Sequence, residues 1–286
     1  MAYSIAFFGS STYSVIILEK LLTLTDFTVT AIITKPDKPT GRSQAITANP
    51  VAECAHRHQL PLLQPTDFTP DFIAQFEKLK PDVALCVAYG PPFFNQKMID
   101  IPRYKIINIH PSPLPKYRGA TPGPWQIINH ETTSAVTFFQ IDTLPDHGPI
   151  ITQLPFTIDN NETSESFYSK AFSQAASHLS SVLLDYIHHP DQLTPQDHLQ
   201  KTYYPKFTKS TAQIDWQWEN DKISRFVRAM NPWPVAWTTV LDRQNKPLNM
   251  KVFSYNEQPV LVQIEGKKPC QWQQIKNYYR LNNPHN

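Results

Sequence analysis

Residues 3–34 read YSIAFFGSSTYSVIILEKLLTLTDFTVTAIIT, and the fold is decided there. Tyr3 to Phe8 is a short apolar run, and Gly9-Ser10-Ser11 is a turn. Tyr13 to Leu24 then spaces Val15, Leu18 and Leu22 along one helical face, and Phe27 to Thr34 restores β-branched strand character. Strand, helix and strand in this order form a β-α-β unit, which implies a parallel sheet with right-handed crossovers. The same pattern predicts a helix over 71–80 and strands over 83–87, 105–109 and 135–141. A long helix over 163–188 follows, with Asn161 or Thr163 as its cap.

The fold class is therefore α/β, a Rossmann-like open and mostly parallel sheet. Its first turn carries one glycine, Gly9, where a dinucleotide fingerprint needs three at G-x-G-x-x-G spacing. A nicotinamide cofactor is not expected. Sheets of this kind still bind ligands beyond the carboxyl ends of their strands. Residues 1–188 read as the sheet-bearing domain, and 189–205, polar and broken by Pro190, Pro195 and Pro205, as a linker. Residues 206–286 read as a smaller domain with a helix over 221–230 and short strands over 237–241, 250–253 and 260–264.

With 286 residues and 41% hydrophobic content, the chain can fill two ordinary cores. Met1 to Phe8 reads as a buried strand rather than a signal segment, and no apolar run approaches the ~20 residues of a bilayer span. A cytoplasmic location is expected. Cys54, Cys86 and Cys270 lie far apart and without C-x-x-C spacing, so they read as free thiols. The net charge of +2 hides an asymmetry: residues 1–200 hold 13 Lys/Arg against 18 Asp/Glu, and residues 201–286 hold 13 against 6. A net −5 followed by a net +7 suits a catalytic domain joined to a polyanion-binding module, or else a basic solvated face.

The chemistry-bearing stretch is Asn108-Ile109-His110-Pro111-Ser112-Pro113-Leu114-Pro115-Lys116-Tyr117-Arg118-Gly119, entered from a strand. Alternation puts Asn108 and His110 on one face at the strand's end, where an amide and an imidazole can both donate to a developing oxyanion. The prolines stop the strand and stiffen the loop that follows. A second strand feeds Asp142-Thr143-Leu144-Pro145-Asp146-His147-Gly148. A carboxylate from this loop could orient His110 and take the proton shed by an attacking amine. His110, Asp146 and His147 could instead be metal ligands, but no zinc-type spacing supports that, and no metal is expected.

The run N-I-H-P-S-x-L-P-K-Y-R-G, followed by a strand and D-x-x-x-D-x-G, resembles the folate-dependent formyltransferase family. The resemblance implies Asn108, His110 and Asp146 as the catalytic group and 10-formyltetrahydrofolate as co-substrate. It implies that the loop of Ser112, Pro113, Leu114 and Pro115 binds the folate. It places Val87, Ala88, Tyr89 and Gly90 along the pterin pocket. Departures from the family pattern are Pro113 for a usual Leu, Leu144 for a usual Gly and His147 for a usual Thr.

Three further features resemble the members that formylate methionyl-initiator tRNA. The first is the insertion Lys35-Pro36-Asp37-Lys38-Pro39-Thr40-Gly41-Arg42, continuing to Asn49, whose Lys35, Lys38 and Arg42 would meet the tRNA acceptor stem. It reads as a polar loop without secondary structure of its own, ordered on binding. The second is the pair Ile214-Asp215-Trp216 and Arg228-Ala229-Met230-Asn231-Pro232-Trp233-Pro234, which resembles the start of the family's second domain. The third is the basic element Gly266-Lys267-Lys268-Pro269. Lys206, Lys209, Arg228, Lys267 and Lys268 are then the tRNA-binding cations of an OB-like barrel. That barrel is abbreviated, because only Ser254 to Pro259 stands where the family has several more strands. The chain is expected to act as a monomer. Rival readings are formylation of a sugar-nucleotide or other small amine, hydrolysis of the formyl-folate, and a non-catalytic RNA-binding relative.

Overall fold

The computed structural model describes residues 2–40 and 45–281. They fall into two compact units, one of the described residues up to Gly119 with Ser134–Phe156 and Ser169–Tyr203, the other of Ala120–Thr133, Thr157–Tyr168 and the described residues from Tyr204 on.

In the first unit, β1 (Tyr3–Gly9) runs into α1 (Thr12–Leu22), which Ser11 caps through a reciprocal pairing with Ser14. Strand β2 (Phe27–Ile33) returns parallel to β1. Next comes a hairpin of β3 (Lys38–Thr40) and β4 (Ala45–Thr47), and then α2 (Pro50–Arg57). β5 (Leu62–Leu63), α3 (Pro70–Leu79), β6 (Val83–Val87), α4 (Gln96–Asp100) and β7 (Ile106–His110) complete the parallel part. Past α5 (Pro122–Ile128), which belongs to the second unit, β8 (Thr133–Gln140) lies antiparallel on β7, and β9 (Ile150–Thr157) and α6 (Ser164–His188) follow. The sheet order is β5-β2-β1-β6-β7-β8-β9, so the chain reverses its direction of travel between β1 and β6. A crevice opens at such a switch point, beyond the strands' carboxyl ends.

Strand β6 is buried along its whole length and β1 over its last five residues, as expected of parallel strands covered on both faces. Phe8 meets Phe76, Tyr89 and Phe94 edge-on, with ring centroids 5.1–5.5 Å apart. Burying a ring of this size contributes roughly 1.5–3 kcal/mol.

The second unit has α7 (Asn220–Ala229) packed on α5, with Arg225 donating to the carbonyl of Ile128 at 3.1 Å. Its strands are β10 (Ala236–Asp242), β11 (Pro247–Val252), β12 (Tyr255–Asn256), β13 (Gln258–Pro259), β14 (Leu261–Ile264), β15 (Cys270–Gln271) and, after α8 (Trp272–Ile275), β16 (Tyr279–Leu281). Five of them form an antiparallel sheet of order β15-β14-β11-β10-β16, which is open at both ends among the described residues. The short β12–β13 hairpin occupies the stretch where the barrel was expected to be abbreviated.

The expected structureless loop over 35–49 is corrected. β3 and β4 pair from Lys38↔Thr47 to Thr40↔Ala45, with Arg42 beyond the described residues. The base of this hairpin is fastened, because Asn49 donates to the carbonyl of Lys35 and accepts from Thr34, both at 2.9 Å. Asn49 also caps α2, and Pro50 takes that helix's first position.

Candidate active site

Cys86 in β6 pairs with Asn108 in β7, so the segments that leave these strands emerge side by side at the crevice. His110 is buried at 5% exposure and Asn108 is half-buried. Among the described residues no hydrogen bond engages the Asn108 carboxamide, whose N–H groups remain available to a ligand. His110 Nε2 lies 3.0 Å from the carbonyl oxygen of Tyr117. A carbonyl only accepts, so Nε2 carries a proton and Nδ1 is the nitrogen left for chemistry.

Nδ1 faces Asp146 Oδ1 at 3.6 Å, longer than a hydrogen bond, while Asp146 Oδ2 accepts from the Gly119 N–H at 2.8 Å. β8 ends opposite Ile107, so the loop after it must run back along β7 to bring Asp146 to His110. The turn-back is tight. A Cβ on Gly148 would sit 1.9 Å from the Gln140 carbonyl oxygen, and Asp146 itself takes the left-handed φ of 52°.

The loop after His110 is braced from below. Thr137, opposite His110 in β8, donates to the carbonyl of Ser112 at 2.6 Å, and Gln153 donates to Leu114 O at 2.8 Å and to Thr137 Oγ1 at 3.0 Å. Ser112 closes the turn on Lys116 O at 2.8 Å. The other wall is tied to the first turn of the chain. Ser14 donates to Val87 O at 2.7 Å and Ser10 to Ala88 O at 3.0 Å, while Ala88 and Gly90 adopt positive φ.

The Tyr89 ring is buried, and the Lys35 ammonium lies 3.6 Å above its centroid. Lys35 also donates to the carbonyls of Gly90 and Pro91. Its side chain therefore turns away from the hairpin toward the segment read as the pterin wall. Burial lowers the Lys35 pKa to about 8, and burial pushes the Cys86 thiol beneath it up to about 12.

Comparison with known proteins adds two family matches: formyl transferase over residues 3–183 and formyl transferase, C-terminal domain, over residues 206–260. The chain belongs to the formyl transferase family. The methionyl-tRNA formyltransferase of Chloroflexus aggregans is 36% identical over 235 residues, covering 82% of this chain and 75% of that protein. The methionyl-tRNA formyltransferase of Clostridium beijerinckii is 34% identical over 269 residues, 93% of this chain and 83% of that one. Among solved structures, a 4-N formyltransferase from Francisella tularensis shares the fold with a TM-score of 0.66 at 18% identity, over 89% of this chain and 98% of that one.

Beyond the motif residues, this formyl transferase chain places side chains at the site that sequence reading missed. The segment after Pro190 is laid on the first unit. Thr194 and Ile150 exchange two backbone hydrogen bonds of 2.8 Å, and Thr202 meets Tyr117 N at 2.8 Å and Arg118 N at 2.9 Å. Arg118, 6% exposed, donates to Gln196 Oε1 at 2.6 Å and to His198 Nδ1 at 2.8 Å. The rings of His198 and His147 stack 4.0 Å apart, and His147 Nδ1 lies 2.5 Å from Asp142 Oδ2. His147 thus points to Asp142, and it does not converge with His110 and Asp146 on a common ligand. Glu19, Cys54 and His58 do cluster, but Arg57 is already paired with Glu19 there.

The basic residues expected to meet tRNA are spread over both units. Lys38 is exposed on β3, and Lys206, Lys209, Lys267 and Lys268 are exposed in the second unit. Arg228 is half-buried, with its guanidinium on Glu162 O at 3.3 Å and Ser224 Oγ at 3.2 Å, and desolvation lowers its pKa. Lys209 shares a cavity of about 320 Å³ with Trp237, Asn249 and Lys251. Lys251 stood alone in its strand, which left nothing in the sequence to single it out. Among the described residues no helix is long and apolar enough to cross a membrane.

Proposed function

We infer that this chain is a methionyl-tRNA formyltransferase: it moves the formyl group of 10-formyltetrahydrofolate onto the α-amine of methionyl-initiator tRNA. The observation that carries the chemistry is the His110 pair of contacts, Nε2 on the Tyr117 carbonyl and Nδ1 facing Asp146. The co-substrate fits the crevice because among the described residues the Asn108 carboxamide has no hydrogen-bond partner to give up and the neighbouring Val87–Gly90 and Ser112–Pro115 segments are already fastened.

The neutral amine attacks the formyl carbon, a carbon–nitrogen bond forms, and the carbonyl oxygen becomes an oxyanion. Asn108 donates to it, and so does His110 through Nδ1–H when the imidazole is protonated; such donors lower acyl-transfer barriers most when they are fixed in advance. Asp146 balances the imidazolium charge and takes the proton shed by the amine. The bond to the folate nitrogen then breaks, and that nitrogen leaves with a proton returned through the same pair. Redox state does not change. Ser112, Pro113, Leu114, Pro115 and the Val87–Gly90 segment line the folate site.

For the tRNA, Lys38, Lys206, Lys209, Lys251, Lys267 and Lys268 offer exposed cations for phosphate contacts. Lys35 and Arg228 support their surroundings through internal hydrogen bonds. The reaction needs one copy of the chain and belongs to the cytoplasm. The test is direct: purified protein is incubated with 10-formyltetrahydrofolate and either charged initiator tRNA or an amino-sugar nucleotide. Formyl-methionyl ester in the first reaction and no formamide in the second is the expected result. Formylation of the sugar amine alone would replace this reading with the small-amine one.

A further inference from the structure

The stretch 194–203, polar and interrupted by proline, is pinned at both ends, at Thr194 by Ile150 and at Thr202 by Tyr117 and Arg118. Between these anchors one side chain turns inward. Gln196 is 5% exposed, whereas Leu199 three residues on is 97% exposed. The Gln196 amide nitrogen donates to Asp146 O at 3.1 Å and to Gly148 O at 2.7 Å, and its amide oxygen accepts from Arg118 at 2.6 Å. Carbonyls only accept and a guanidinium only donates, so the orientation of this carboxamide is fixed from both ends.

We propose that Gln196, held by Arg118, is a positioning residue for Asp146 in formyl transfer. The inference rests on the assignment of Asp146 as the carboxylate of the catalytic pair. Asp146 occupies a left-handed backbone conformation that a non-glycine residue adopts only when its surroundings enforce it. Its carboxylate must still reach Gly119 N–H with one oxygen and stand 3.6 Å from His110 Nδ1 with the other. The two carbonyls that Gln196 clamps flank His147 and belong to the residues where the loop turns back. With this clamp gone, the backbone carbonyls of Asp146 and Gly148 lose their Gln196 donor, and the loop keeps the side-chain contacts of Asp146 and His147 and the Gln140 N–H to Pro149 O hydrogen bond. Arg118 adds the link to the catalytic strand, because its neighbours Tyr117 and Gly119 contact His110 and Asp146 through their own backbone. Gln196 thus acts through Asp146 and touches no reacting atom.

The test compares Gln196→Ala, Gln196→Glu and Asp146→Asn in the full chain, with steady-state kinetics on formyl-folate and charged initiator tRNA. Gln196→Glu keeps an acceptor for Arg118 but has no N–H for the two carbonyls, so it separates the clamp from the pairing and serves where Gln196→Ala does not fold. Both Gln196 variants should lose about ten- to a hundredfold in kcat with either KM changed by no more than about twofold, the scale of an ångström misplacement at a catalytic group. Added to Asp146→Asn, Gln196→Ala should cost less than about a further twofold, since residues acting through one group are not additive. Wild-type kcat in Gln196→Glu beside an impaired Asp146→Asn, or full additivity of the two, would overturn the proposal and leave the role of Asp146 intact. An unimpaired Asp146→Asn would remove the assignment of Asp146 itself and the proposal with it.

Discussion

His110 is held by what stands on its far side. The Tyr117 carbonyl accepts the hydrogen bond from Nε2–H, which leaves Nδ1, 3.6 Å from Asp146 Oδ1, as the nitrogen available for the proposed proton exchange. The loop presenting Asp146 depends on Gly148, where a methyl group would overlap the Gln140 carbonyl. Gly148→Ala should therefore lower stability by roughly 1–3 kcal/mol in urea unfolding and reduce kcat as well, because overpacking moves backbone. Lys35 carries a pH signature. Burial lowers its pKa to about 8 from the ordinary 10.5, so between these values the unfolded chain binds more protons and stability rises with pH. Denaturation midpoints of the wild type should rise from pH 8 to pH 10 relative to those of Lys35→Met. The placement of Asn108 and His110 at the end of β7 was legible because alternation at a strand end needs only two residues. Gln196 was not, since one glutamine in a proline-broken stretch has no period, and its two carbonyl partners lie 48 and 50 residues away.

At the scale of elements, the β-α-β opening and the long α6 were readable from periodicity, whereas the β3–β4 hairpin was not. Its strands are three residues each and one contains Pro39, too short for alternation to register, and the pairing is secured by Asn49 at the base. β9 was missed for a related reason: Pro155 interrupts its run of strand-forming residues. The hairpin gives Lys38 an exposed, defined position. Lys38→Ala should raise KM for charged tRNA several-fold, leave KM for formyl-folate unchanged, and shift stability by no more than about 0.5 kcal/mol, as surface substitutions do. The loop proposed to bind folate is braced by Thr137, whose hydroxyl donates to Ser112 O and faces Leu114 N. Thr137→Val removes the hydroxyl that braces Ser112 O and accepts from Gln153, leaving this turn only its own Leu114 N–H to Ser112 O hydrogen bond of 3.0 Å, so KM for formyl-folate should rise with little change in tRNA affinity.

Across the whole molecule the charges are partitioned: net −5 over residues 1–200 and +7 over residues 201–286. Composition made this legible without any structure, and the family matches over both parts of the chain agree with a catalytic and a C-terminal component. Affinity for charged tRNA should fall steeply from 50 to 200 mM salt, on the order of tenfold or more, while KM for formyl-folate stays flat, since phosphate contacts release counterions and a small co-substrate does not. We propose Asn108, His110 and Asp146 as the group that carries out formyl transfer to a tRNA-borne amine. The most direct test of this assignment is the single-turnover rate of formyl-methionyl-tRNA formation by His110→Ala at saturating substrates, with tRNA affinity measured on the same preparation. A rate reduced by roughly 10²–10³ with affinity unchanged is predicted; a wild-type rate would contradict the account.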